Sequence, residues 1–426
     1  MRGWLVVVVA LSAGCNNHEQ AKKMRGGSTG GAGGGSSEAE FAAQLAAALP
    51  GRTLSFDADK HQLSGSDELI STTNLYQEWL RTPPAERPDA VKRIAAGFLQ
   101  TGADKPKALA DVRAKLRPVV RAVSYFDPQQ LAKLATGSGA KDTTVPYVLV
   151  GNGAAAAVAI DAQDAMSIAT NKDLADWNVT IDQALLIATA NLRGDGAHLE
   201  QLEPGVWTAQ THDSYDASRL MLVPDIKALP LSGSPVALIP NRETLLIAGS
   251  KDAKGLMAMA ARAQAVSSDP RPIHTQALCL ADGIWKDCIP DATPAVHRTY
   301  ESLAEHAWID LYGDNHDLYQ EQLGDDLFVA HLSGVEKDGG EVTTYATWTK
   351  TVPTMLPKAD WIAFVVLEGE PGSEKGKMLG LARWERVMAA LGSHLKETGH
   401  MPRYWATGEY FPTAAELTAL ALVQKP

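Results

Sequence analysis

Cysteine is scarce, with three residues in a chain of 426, and that excludes a scaffold built from disulfides. No apolar run reaches the ~20 residues that cross a bilayer as a helix; the longest lies within residues 1–14. Positive charge is in deficit: 39 Lys and Arg stand against 50 Asp and Glu, for a formal net charge of −11. Such a chain has no global pull toward nucleic acid, so no nucleic-acid partner is expected. No repeat period is visible. Catalytic signatures are missing too. Asp216-Ala217-Ser218-Arg219-Leu220 is not the Gly-x-Ser-x-Gly of a nucleophile elbow. Val150-Gly151-Asn152-Gly153 reads as a turn between strands and lacks the Lys-Ser/Thr of a phosphate loop. No catalytic residue and no cofactor are expected.

What remains is ordinary for a globular body, with 45% hydrophobic and 21% charged residues. The N-terminus reads as an address. Arg2 supplies a positive start, Leu5 to Leu11 a short apolar core, and Ser12-Ala13-Gly14 the small residues a signal peptidase admits. Cys15 follows at once. Residues 1–14 resemble a bacterial lipoprotein signal, although Ser12 occupies the position where Leu is usual. The resemblance implies that Cys15 is lipidated and becomes the first residue of the mature chain. The partner would then be a lipid bilayer, held through N-terminal acyl groups. Residues 15–37 are polar and then Gly/Ser-rich, from Gly26 to Ser37. They cannot bury enough apolar surface to offset their ordering entropy. They read as a disordered tether spanning about 25 Å.

The other two cysteines fit an oxidising compartment. Cys279 and Cys288 flank Asp282-Gly283, a hairpin turn signal. A four-residue loop, 282–285, would set the two cysteines opposite each other, and a two-residue loop would miss that register. A Cys279–Cys288 disulfide is the expectation, with two buried free thiols or a metal pair as the alternatives; the spacing matches no common zinc motif.

Two α+β domains are expected, each with an antiparallel or mixed sheet packed by helices, at 38–290 and 295–426. Pro290-Asp291-Ala292-Thr293-Pro294 reads as the joint. In the first domain, Thr180-Ile181-Asp182-Gln183 is a capping box that opens a helix. A helix is also expected over 216–227, and Pro235–Pro240 and Leu245–Ala248 read as buried strands. In the second, Trp361–Leu367 reads as a central strand and 377–396 as a long helix.

Four strings in the first domain carry a resemblance: Leu116-Arg117-Pro118-Val119-Val120-Arg121, Ala190-Asn191-Leu192-Arg193, Tyr215-Asp216-Ala217-Ser218-Arg219-Leu220 and Ile239-Pro240-Asn241-Arg242-Glu243-Thr244-Leu245. In order and spacing they resemble the uncharacterised bacterial family called domain of unknown function 1444, over about residues 40–290. The resemblance implies a fold and no mechanism. The signal and the block at 295–426 depart from that family.

Two polar sets are candidates for chemistry. The first is Arg193, Asp213, Asp216, Ser218, Arg219, Arg242 and Glu243. Its arginines offer planar forks for a carboxylate or phosphate, while its other members equally suit caps and ion pairs. The second is His306, Asp310, Asp314 and His316, a set of ligand types that would hold a divalent metal. His306 and Asp310 share a face whether the segment is helix or strand. Trp348, Trp361, Trp384 and Trp405 read as core or as a groove wall. The leading reading is a lipid-anchored, exported, non-enzymatic protein that binds an envelope protein or a small anionic ligand. The alternatives are a metal-assisted hydrolase on the second domain and an anion-binding domain using Arg193, Arg219 and Arg242.

Overall fold

The computed structural model describes residues 38–58, 61–65, 69–100, 106, 108–126, 144–162, 165–324, 327–336, 341–369 and 375–424. The signal, Cys15 and the tether at 15–37 lie outside the described residues. The protein is α+β, with antiparallel and mixed sheets. It falls into two compact units. The larger is Ser36–Leu318 with Glu336–Val342; the smaller takes in Tyr319–Val335 and Thr343–Pro426.

The larger unit begins with a helix at Glu38–Ala47 and a small antiparallel sheet of β1 (Ser55–Asp57), β2 (Gln62–Ser64) and β3 (Leu69–Ser71). Phe41, Leu45, Leu63 and Trp79 close a core between them and the helices Thr73–Arg81 and Arg87–Gln100. A second antiparallel sheet holds β4 (Leu116–Ala122), β5 (Val148–Val150), β6 (Ala154–Ala162) and β7 (Ala165–Ile168). Ala154 to Ala159 are all buried. A strand this rich in alanine lets other elements approach closely on both faces. The turn at 151–153 joins β5 to β6, as the sequence predicts. A side chain at Gly153 would collide with the His274 ring at 2.6 Å.

The third sheet has six antiparallel strands in the order β13-β12-β10-β11-β9-β8. They are β8 (Leu199–Glu203), β9 (Val206–Ala209), β10 (Pro235–Asn241), β11 (Thr244–Gly249), β12 (Pro272–Ala281) and β13 (Ile284–Asp287). Their apolar residues alternate between two cores. Ala237, Ile239, Leu245 and Ile247 join Leu116, Val120 and Val158, while Val236, Leu238, Leu246 and Ala248 join Leu256 and Met259 of the helix Ala253–Ala265. This is the period-two burial of a sheet covered on both faces. The Thr180–Gln183 capping box forms as read and starts the helix Ile181–Asp195.

The cysteine hairpin corrects one expectation and bears out another. The turn has two residues, Asp282 and Gly283, both at positive φ (53° and 82°), the backbone of a tight hairpin turn. Cys279 therefore lies opposite Lys286, and Cys288, just past the strand, donates its N–H to the Ala277 carbonyl. The sulfurs nonetheless meet at 2.02 Å with the Cα atoms 5.8 Å apart. Diagonal neighbours on one face of a twisted pair lie within such reach, so the bond does not need direct opposition.

The predicted joint at Pro290–Pro294 is a short loop that leads directly into a 30-residue helix, Pro294–Leu323. Pro294 sits at its first position, where a missing N–H costs nothing. Val296, Tyr300 and Leu303 then recur at helical spacing and enter the core formed by Val236, Leu256 and Met259. That packing carries the chain past residue 290, and the boundary between units falls inside the helix.

In the smaller unit, β14 (Phe328–Val329), β17 (Thr354–Pro357), β20 (Lys396–Glu397) and β21 (Tyr404–Ala406) form one sheet. Another runs β15 (Ser333–Glu336), β16 (Val342–Thr349), β18 (Trp361–Glu368) and β19 (Lys375–Arg383). β18 is central, as predicted, pairing parallel with β16 and antiparallel with β19. The helix expected over 377–396 is corrected: Lys375–Arg383 is β19, and the helix is only Trp384–Leu391. The apolar β18 needs a partner on its second edge, and the glycines at 376 and 380 weaken a helix there. Of the tryptophans, Trp348 and Trp384 are buried, Trp384 packs edge-on to Trp405, and Trp361 lies under Arg383.

Candidate functional site

The four strings singled out in the sequence fold into one hydrogen-bonded patch of the larger unit. Asn191 Nδ2 donates to the Leu116 carbonyl, the Val120 N–H donates to Ser218 Oγ at 3.0 Å, and the Ala217 N–H donates to the Arg242 carbonyl at 3.1 Å. The helix expected over 216–227 is split into a tight turn, Ala217–Met221, and a short helix, Val223–Lys227. Pro224 has no N–H to continue the first. Ser218 is fully buried, and its hydroxyl accepts the bond from the Val120 N–H.

Asp216 and Arg219 form the closed half of the patch. Asp216 is fully buried and Arg219 is 1% exposed. The Asp216 carboxylate accepts the N–H groups of Thr211 and His212 and the Thr211 hydroxyl, at 2.7–2.9 Å. Arg219 grips Asp213 with both guanidinium nitrogens at 2.7 and 3.0 Å, and lies 3.5 Å from Asp216. Burial pushes the Asp213 carboxyl up; the Arg219 fork and the Tyr215 N–H outweigh it and hold it at about 2. Both carboxylates are satisfied from within; Arg219 Nε has no hydrogen-bond partner among the described residues, but it is buried, so Arg219 and Ser218 present nothing to a ligand arriving from solvent. Arg193 lies apart, on an exposed pair with Asp225 at 3.0 Å. The expected convergence of Arg193, Arg219 and Arg242 therefore does not occur.

Arg242 belongs to the open half. It occupies the turn between β10 and β11 and pairs with Glu243 at 2.6 Å. Its N–H donates to the carbonyl of Arg271, which precedes β12 and pairs with Glu78. Arg121, at the end of β4, completes this half. Its guanidinium donates to its neighbour's carbonyl at Val120 and touches Met166 Sδ at 3.9 Å. No carboxylate pairs with it among the described residues. Burial, then the nearby Arg242 guanidinium, lowers its pKa to about 10. Burial and Arg242 lower Arg271 as well, against the pull of Glu78. Tyr215 is buried beside Asp161 without meeting hydrogen-bond geometry.

Sequence reasoning missed Arg121 and Arg271. Both were in view, one inside a quoted string and one beside a strand, yet residues 121, 242 and 271 share no local spacing. Only the third sheet, bridged to β4 through the turn Ala217–Met221, brings them together.

The metal set does not converge. All four residues lie in the helix Pro294–Leu323. Positions 306, 310 and 314 follow one helical face, and position 316 falls half a turn round from 314. His306 Nδ1 bonds the Ser302 carbonyl at 2.7 Å, and His316 is buried against Asp317. Among the described residues, one group of metal-ligand types comes within 4.8 Å, His212, Asp216 and Glu243. Asp216 is already saturated by hydrogen bonds, and Arg219 and Arg242 hold the positive charge there. A cation would compete with two guanidinium groups.

No family model, no curated protein and no solved structure matches this chain. Among the described residues, no helix is long and apolar enough to cross a membrane.

Proposed function

We propose that this chain is an exported, lipid-anchored binding protein of the bacterial envelope, held to the membrane through acyl groups on Cys15. The observation that carries the compartment is the Cys279–Cys288 pair at bonding distance. Disulfides persist outside the reducing cytosol. The N-terminal string from Arg2 to Cys15 supplies the matching export signal. A single acyl chain binds a membrane only weakly, so stable anchoring takes more than one. The acidic body adds no attraction to an anionic surface. The resemblance to domain of unknown function 1444 rests on the four strings alone, is matched by no family model and supplies no activity. The reading as a binding protein draws on the open arginines at 121, 242 and 271.

Labelled palmitate tests the anchor. It should enter the wild-type chain and not the Cys15→Ala variant, with the wild type found in membranes. Label-free full-length chain in the cytosolic fraction would refute the proposal.

A further inference from the structure

Arg121, Arg242 and Arg271 reach one place from three distant parts of the chain. The connections are short: Val120 to Ser218, Ala217 to Arg242, and Arg242 to Arg271, each a single hydrogen bond of 3.0–3.1 Å. Two of the three charges have a carboxylate, Glu243 for Arg242 and Glu78 for Arg271. Among the described residues, the third, on Arg121, has a carbonyl and a thioether and no carboxylate. One positive charge is left over in a half-buried setting, next to two of the same sign. Each of these three arginines is partly open to solvent, unlike Arg219. A planar fork wants an oxyanion, and nothing in the described residues supplies a third one.

The backbone adds an independent observation. Nine non-glycine residues among those described have left-handed φ, and one of the three arginines, Arg271 at 60°, is among them. Such backbone costs energy at each position and tends to gather where a site is shaped. Arg271 is held in such backbone while its carbonyl accepts the Arg242 N–H.

We propose that Arg121, Arg242 and Arg271 bind an oxyanion, the carboxylate or phosphate group of a small ligand, with Arg121 as the unshared donor. This rests on the binding half of the proposed function and not on the anchor. Soluble protein tests it, so a negative result leaves the compartment standing, and failed lipidation leaves the site standing.

The test is a melting-temperature titration of the purified chain with inorganic phosphate and, separately, acetate, at fixed ionic strength against chloride. A saturable upward shift with phosphate alone assigns phosphate-bearing ligands; with acetate alone, carboxylates; with both, either class. Arg121→Gln should weaken the half-saturating concentration tenfold or more, as expected for losing a charged hydrogen bond. Arg193→Gln should leave it unchanged. No shift beyond chloride, or equal shifts in Arg121→Gln and wild type, overturns the proposal. Failure of Arg121→Gln to fold also overturns it, because it would make Arg121 a structural residue.

Discussion

Two arginine groups sit side by side in the larger unit and differ in what surrounds them. Arg219 is buried and closed, gripped by Asp213 and set beside a saturated Asp216. Arg121 is half-buried and open, with Arg242 and Arg271 for company and no carboxylate of its own among the described residues. The difference separates charge that holds a fold together from charge that is held ready. A buried ion pair is costly to break because one partner is left uncompensated. An unpaired charge already bears that cost, so removing it should cost little.

The comparison breaks first at Asp216. Asp216→Ala would leave the N–H groups of Thr211 and His212 without their acceptor and Arg219 with Asp213 as its remaining carboxylate, and should destabilise the unit by ~3–5 kcal/mol in denaturant unfolding. A loss under ~1 kcal/mol would mean the closed half is not structural. Next comes the disulfide. Cys279→Ala with Cys288→Ala should cost ~2–3 kcal/mol, from the entropy of a short closed loop. Equal stability of the oxidised wild type and the double variant would remove the bond from the account. Ser218→Ala leaves the buried Val120 N–H without its acceptor and should cost ~1–3 kcal/mol, read from the same curves.

Acid separates two further groups. Burial depresses His274 to about 3 from an ordinary 6.5, and it stays neutral between β12 and Trp308. A depressed pKa means the unfolded chain binds the proton more readily. The stability it contributes is present above pH 6.5 and is lost as pH falls toward about 3. Asp213 contributes in the same sense over a lower window, from its ordinary 3.8 down to about 2. His274→Phe should therefore flatten the upper part of the acid decline and leave the lower part. An unchanged slope between pH 6.5 and 4 would show that His274 does not titrate as its burial requires.

The framework was legible where a local rule decides it. Thr180 and Gln183 announce a capping box, the apolar run at 235–240 a buried strand and that at 361–367 a central one; Asp282-Gly283 announces a hairpin, though its loop has two residues and not the four expected. It was illegible where tertiary partners decide. Lys375–Arg383 has enough helix-compatible residues to mislead, and becomes a strand because β18 has an edge to fill. Pro290–Pro294 reads as a joint until Val296, Tyr300 and Leu303 are seen in the core. The candidate site was half visible. The Tyr215–Leu220 string stands out because it is dense in charge, and that density belongs to the closed group. Arg121, Arg242 and Arg271 are unremarkable singly, since their meaning lies in an adjacency created by β4, β10 and β12.

Denaturant unfolding of Arg121→Gln beside Arg219→Gln, in buffer free of phosphate and carboxylate, tests this contrast most directly. The account predicts that Arg219→Gln loses ~3–5 kcal/mol while Arg121→Gln stays within ~1 kcal/mol of wild type or gains. Equal, large losses from both would contradict it, for Arg121 would then be as structural as Arg219.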